Sequence, residues 1–174
     1  IHKYLSFFIS VQLLLWTVSG IYFAFNKIEL VRGEQYRLTN FSDINLGEID
    51  FDIPNTSNLQ IKKRLDQTII ILSSDSGSSY LNSDGTTLDK ISAKMAMLLV
   101  QQNTTLTPIE AEEITSSKKG SEYRGRALPL MKVKSKNEQD KLINVYLNIY
   151  SGEVTAIRSM QWKIWDVMWG FHIM

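Results

Sequence analysis

The chain has 174 residues, enough for one well-buried core with appendages. Its 19 basic and 18 acidic residues leave a net charge of +1, which removes any bulk electrostatic case for nucleic acid, and no nucleic-acid motif is present. The absence of cysteine excludes disulfides, thiolate metal sites and a thiol nucleophile.

Residues 4–25, YLSFFISVQLLLWTVSGIYFAF, carry no charge. As a helix they reach about 33 Å, enough to cross a hydrocarbon layer about 30 Å thick. No small-residue cleavage site follows, since Tyr22 and Phe23 stand where one would be needed. Residues 1–26 therefore read as a retained transmembrane helix. Ser6, Ser10, Thr17 and Gly20 lie close to one face, which suits contact with a second transmembrane helix. Lys3 on one side and Lys27 and Arg32 on the other give little basis for orientation.

Residues 27–159 have the composition of a soluble domain. The stretch 33–59 is polar and turn-rich, and little regular structure is expected there. QTIIILSS (67–74) reads as a strand, and SSYLNS (78–83) returns after an Asp-Ser-Gly turn. Residues 87–103 carry Ile91, Met95, Leu98 and Leu99 at helical spacing, with Thr86 or Thr87 as N-cap. Thr107-Pro108-Ile109-Glu110 has the form of a capping box with proline at the first helical position, predicting a short helix through 115. Glu110, Glu112 and Glu113 would then favour its N-terminal dipole. Residues 126–136 read as a strand, and 141–158 as a β-hairpin turning at Ser151-Gly152. The expected fold class is α+β, an antiparallel sheet with covering helices.

Lys118, Lys119, Arg124, Arg126, Lys132, Lys134 and Lys136 form a dense basic group. It reads either as a solvated sheet face or as a docking strip for an anionic ligand, with Lys132, Lys134, Arg124 and Arg126 as its candidate contacts. At the far end, Trp162, Trp165, Trp169 and His172 follow helical spacing along residues 160–174. That pattern describes an amphipathic interfacial helix, lying along the bilayer or entering it as the start of a second transmembrane helix. There is no P-loop, dinucleotide fingerprint, metal-ligand cluster or catalytic constellation.

The segment EYRGRALPLMKVK, followed by KLINVYLNIYSGEVTAI, resembles a PepSY domain through Leu128, Pro129, Val133, Tyr146, Gly152, Glu153 and Val154. IHKYLSFFISVQLLLWTVSGIYF is similar to the first transmembrane helix of PepSY-associated membrane proteins, and WDVMWGFHIM to the run ahead of their next one. The resemblance implies the bacterial inner membrane, a cytoplasmic N-terminus, a periplasmic domain and a further transmembrane helix after Met174.

Some members of the wider family pass electrons across the bilayer through b-type haem, for example to reduce ferric siderophores. The resemblance thus makes His2 and His172 candidate haem ligands, with Trp165 and Trp169 as a candidate pocket wall. The two histidines would stand about a bilayer thickness apart, so one haem cannot take both. Transmembrane electron transfer or iron reduction is the leading functional expectation. The alternative is a non-catalytic accessory subunit, with the periplasmic domain binding or bracing a partner. A protease-regulating PepSY module is the third. Membrane lipid and other transmembrane helices or subunits are the partners implied.

Overall fold

The computed structural model describes residues 2–40, 42–75, 77–118 and 120–173. Lys119 of the basic group lies outside the described residues. The chain is α+β, with an apolar N-terminal helix, two antiparallel sheets and a C-terminal helix. Helix α1 spans His2–Phe25, and the short helix α2 spans Ile28–Val31. Two 3₁₀ turns, Glu34–Tyr36 and Leu46–Glu48, interrupt an otherwise irregular stretch, as its polar, turn-rich composition predicts.

The first sheet is the meander β1 (Asn58–Arg64), β2 (Gln67–Ser74), β3 (Gly77–Asn82). Ile69, Ile70, Ile71 and Leu72 are all buried, so β2 is covered on both faces. The second sheet is the meander β4 (Thr107–Ile114), β5 (Leu130–Lys136), β6 (Leu142–Asn148), β7 (Val154–Arg158). Helix α3 (Ala93–Asn103) precedes it and lies on one face. Ala96, Leu99 and Val100 of α3 pack with Met131, Val133, Ile143, Val145 and Ile157 to form the main core.

Two predicted elements change. Residues 107–115 are not a helix: β4 pairs with β5, setting Glu110 against Lys134 and Glu112 against Lys132. The capping-box pattern is local, whereas the strand gains a full ladder and two opposite-charge cross-strand pairs. Pro108 is accommodated on this edge strand beside a register shift, where its missing N–H costs no ladder bond. Helix α3 also starts later than its periodicity suggests. The Leu88 N–H is taken by Tyr80 O and the Ile91 N–H by Ile149 O, holding residues 87–92 extended. Ser92, not Thr86 or Thr87, is the N-cap, its Oγ accepting from the Met95 N–H at 3.2 Å.

The sheets meet at the β6–β7 turn. Arg64, buried at the end of β1, donates to Asp89 O and Tyr150 O, and Tyr80 stacks on Tyr150 at 5.2 Å. Gly152 sits in this junction with φ +73°, where a Cβ would meet Leu99 Cδ1 at 2.5 Å. Gly125 has a similar φ of +75° but open space around it. Gly152→Ala is therefore expected to destabilise the protein by about 1–3 kcal/mol. Gly125→Ala should cost clearly less, because only backbone strain is added. Chemical denaturation of the purified chain, followed by far-UV circular dichroism, compares the two.

Candidate functional site

Helix α4 (Met160–Ile173) leaves β7 directly and packs on α1. Gln161 Nε2 donates to Asn26 Oδ1 at 3.0 Å at one end of the contact, and His172 meets Ser19 at the other. The helices are therefore antiparallel. The face of α1 in use is Trp16, Ser19, Phe23 and Asn26. The expected small-residue face is not the one α4 occupies. Ser6 and Thr17 donate instead to carbonyls of their own helix, His2 O and Leu13 O.

His172 lies among aromatic rings. Phe23 is 5.5 Å away between centroids, Trp169 6.3 Å and Trp16 6.5 Å. Trp165 stacks on Trp169 at 5.5 Å with planes 8° apart, and Phe23 closes against Trp165 at 5.0 Å. Ser19 is completely buried here. Its hydroxyl donates to Leu15 O at 2.7 Å and shares a 2.9 Å contact with His172 Nδ1. A carbonyl can only accept, so the hydroxyl proton belongs to Leu15 and Nδ1–H is the donor to Ser19. That assignment leaves the lone pair of the imidazole on Nε2.

Of the sequence-predicted site residues, His172, Trp165 and Trp169 are thus brought together. His2 is not: it is exposed at the start of α1, and the 17 residues to Ser19 amount to about 25 Å of helix. Ser19 and Phe23 complete the cluster and were missed as site residues. The only sequence signal for them was their spacing with Trp16 on one helical face.

A second feature lies where the α+β lobe meets α4. Arg32, Arg37, Arg124, Arg126 and Arg158 line a cleft of about 570 Å³, together with Trp162, Trp165 and Trp169. Two carboxylates, Glu34 and Asp166, share it. Glu34 pairs with Arg37 at 3.1 Å, and Asp166 with Arg124. The Arg158 guanidinium lies 4.6 Å over the Trp162 ring, a cation–π contact. Lys132, Lys134 and Lys136 of the basic group lie elsewhere and are ion-paired. Lys132 pairs with Glu112 at 2.7 Å, Lys134 with Glu110, and Lys136 with Asp140 at 2.9 Å. Lys132 and Lys134 thus lie on a charge-paired sheet face, whereas Arg126 keeps an unpaired guanidinium among the described residues.

The lobe is clamped to α4 by a partly buried network. Glu122 accepts from Asn144 Nδ2 at 2.8 Å and Tyr146 OH at 3.0 Å, and pairs with Lys163 of α4 at 2.8 Å. Burial pushes the Glu122 carboxyl up, but Lys163, Asn144 and Tyr146 together outweigh it and hold it below the ordinary carboxylate range. Burial, with Glu122 nearby, raises the Tyr146 hydroxyl far above its usual value, so it remains a donor. Comparison with known protein families, curated protein sequences and solved structures returned no match.

A carboxylate with a lowered pKa stabilises the folded form above its unfolded pKa, and that stabilisation is lost as pH falls through the folded value. The clamp should therefore hold at neutral pH and loosen below about pH 4.5. Glu122→Gln should remove this component at every pH and flatten the acid limb. Tryptophan emission of the solubilised protein, titrated from pH 7 to pH 3, checks the difference.

Proposed function

We propose that this chain is a membrane-anchored PepSY-type accessory module of the bacterial inner membrane, with its lobe braced rigidly on the membrane outside the cytoplasm. In this reading α1 crosses the bilayer and α4 descends beside it. The length of α1 and the uncharged, outward-facing side chains of residues 4–25 support that placement; Phe7, Phe8, Leu14 and Ile21 are all more than half exposed.

The observation that carries the bracing role is that the lobe is locked to both helices rather than tethered. Val31 is fully buried, the Arg37 guanidinium donates to Val154 O at 3.0 Å, and Leu38 N–H donates to Asn103 O. These contacts strap the exit of α1 across the second sheet and α3. On the other side Glu122–Lys163, Arg124–Asp166 and Gln161–Asn26 fix α4. A lobe held this way transmits position, which suits a subunit that organises a partner at the membrane surface. The helix followed by a four-stranded meander, with Val133, Tyr146 and Val154 on successive strands, supports the PepSY resemblance.

His172 favours a second reading, participation in transmembrane electron transfer through haem b. A hydrogen bond from Nδ1 would leave Nε2 as the nitrogen that could hold a haem iron. Of the two histidines only His172 would hold the group here, since His2 is far along α1. When bound, haem b supplies one-electron transfer at its iron. The chain's own part would be to orient the imidazole through Ser19 and to shield it with Trp165, Trp169 and Phe23.

The membrane reading expects the chain to stay in the pellet after alkaline carbonate extraction and to require detergent for release. Recovery in the soluble fraction overturns it. A reduced-minus-oxidised spectrum then separates the two roles. A colourless protein supports the accessory module; b-type bands lost in His172→Ala and shifted in Ser19→Ala support electron transfer.

A further inference from the structure

The geometry points to the arginine cleft as a binding site for the phosphate headgroup of an anionic membrane phospholipid. This rests on the membrane reading above, because it needs the cleft to open at the bilayer surface.

Charge is the first reason. The chain is almost neutral overall, yet five arginines converge here against two carboxylates. Those carboxylates are already used by Arg37 and Arg124. Arg158 is held by Glu122 O, Ile157 O and the Trp162 ring, none of which carries a full negative charge. Arg32 and Arg126 have neither a hydrogen bond nor an ion pair from their side chains among the described residues. Burial first, then the positive charge of Arg126, press the Arg158 pKa below its usual value; Glu122 and Tyr146 oppose this and Arg32 adds a smaller push. Three guanidiniums, two of them (Arg32 and Arg126) without an ion-pair partner among the described residues, line one cleft and form a ready anion site. Their flat forks suit two-point hydrogen bonding to phosphate oxygens.

Position is the second reason, and it selects lipid over a soluble anion. Arg32 follows α1 and α2, and Arg158 ends the strand that runs into α4. Both stand just beyond the Asn26–Gln161 contact that marks the top of the helix pair. From there Trp162, Trp165 and Trp169 descend α4 along the wall of the same cleft. Trp165 and Trp169 meet Phe23 of the apolar helix. The cleft is cationic at its upper end and aromatic at its lower end, the order in which a phospholipid presents phosphate and acyl chain at an interface. Inorganic phosphate would engage only the upper half.

Full-length protein, delipidated in neutral detergent, is titrated with dioctanoyl phosphatidylglycerol, dioctanoyl phosphatidylcholine and inorganic phosphate, and its tryptophan emission is followed. Saturable binding is expected for phosphatidylglycerol and not for phosphatidylcholine at equal concentration, with a marked weakening in high salt. Arg32→Gln combined with Arg126→Gln removes charge without breaking a side-chain hydrogen bond or ion pair among the described residues. It should weaken phosphatidylglycerol binding by about tenfold or more, since each basic group near the surface contributes appreciably. Lys136→Gln, remote from the cleft, should leave binding within about twofold of the parent, as expected for an exposed charge already paired.

Equal response to the two lipids overturns the assignment, and so does unchanged binding by the double variant. Inorganic phosphate matching phosphatidylglycerol assigns the cleft to a soluble anion and overturns the lipid. Retention in the carbonate pellet alongside any of these results leaves the membrane reading standing and removes the headgroup site alone. Release by carbonate removes both.

Discussion

The antiparallel contact between α1 and α4 is the constraint on which the other features depend. It is made by few residues. Asn26–Gln161 closes the upper end, aromatic rings fill the middle, and Ser19–His172 forms the polar contact at the lower end. A buried serine that both donates to its own helix and accepts across the interface has its own hydroxyl satisfied in an apolar setting. Because α4 is continuous with β7, fixing α4 on α1 also fixes the second sheet, and with it the lobe.

Charge is distributed unevenly around that frame. On the outer face of the second sheet, cross-strand lysine–glutamate pairs cancel locally and present a solvated surface worth little in stability. At the junction with the helices the balance fails, and arginines accumulate around aromatic side chains. The same loop that carries Arg124 and Arg126 carries Glu122, which reaches Tyr146 and Lys163. A single loop therefore both clamps the lobe to α4 and supplies part of the cationic cleft. This couples the shape of the cleft to the clamp: loss of the Glu122 charge would loosen the wall on which Arg124 and Arg126 stand.

Elements set by local chemistry were legible in advance. The β-branched run of β2 coincides with its predicted limits, and the β6–β7 hairpin turns at Ser151-Gly152, where Gly152 takes the left-handed conformation. Elements decided by distant partners were not. β4 wears the local signature of a helix and becomes a strand because it pairs along β5 from Thr107 to Ile114. β1 is mostly polar, and it is held as a strand by pairing with the adjacent β2 from Asn58 to Arg64. Of the candidate site, the tryptophan and histidine spacing was visible along α4. The partners Ser19 and Phe23 lie some 150 residues earlier, and nothing in one segment announces the other.

The sequence alone determined that one uncharged stretch is long enough to cross a bilayer, that an α+β lobe follows it, and that tryptophans and a histidine line one face of the last helix. These properties reside in composition and short-range period, which a single segment carries by itself. Only the tertiary structure decided which face of α1 meets α4, which imidazole nitrogen is free, and that Arg32 and Arg37, distant in sequence from Arg124, Arg126 and Arg158, share one cleft. Those outcomes depend on the angles at which strand and helix leave a packed core, and no local pattern encodes them.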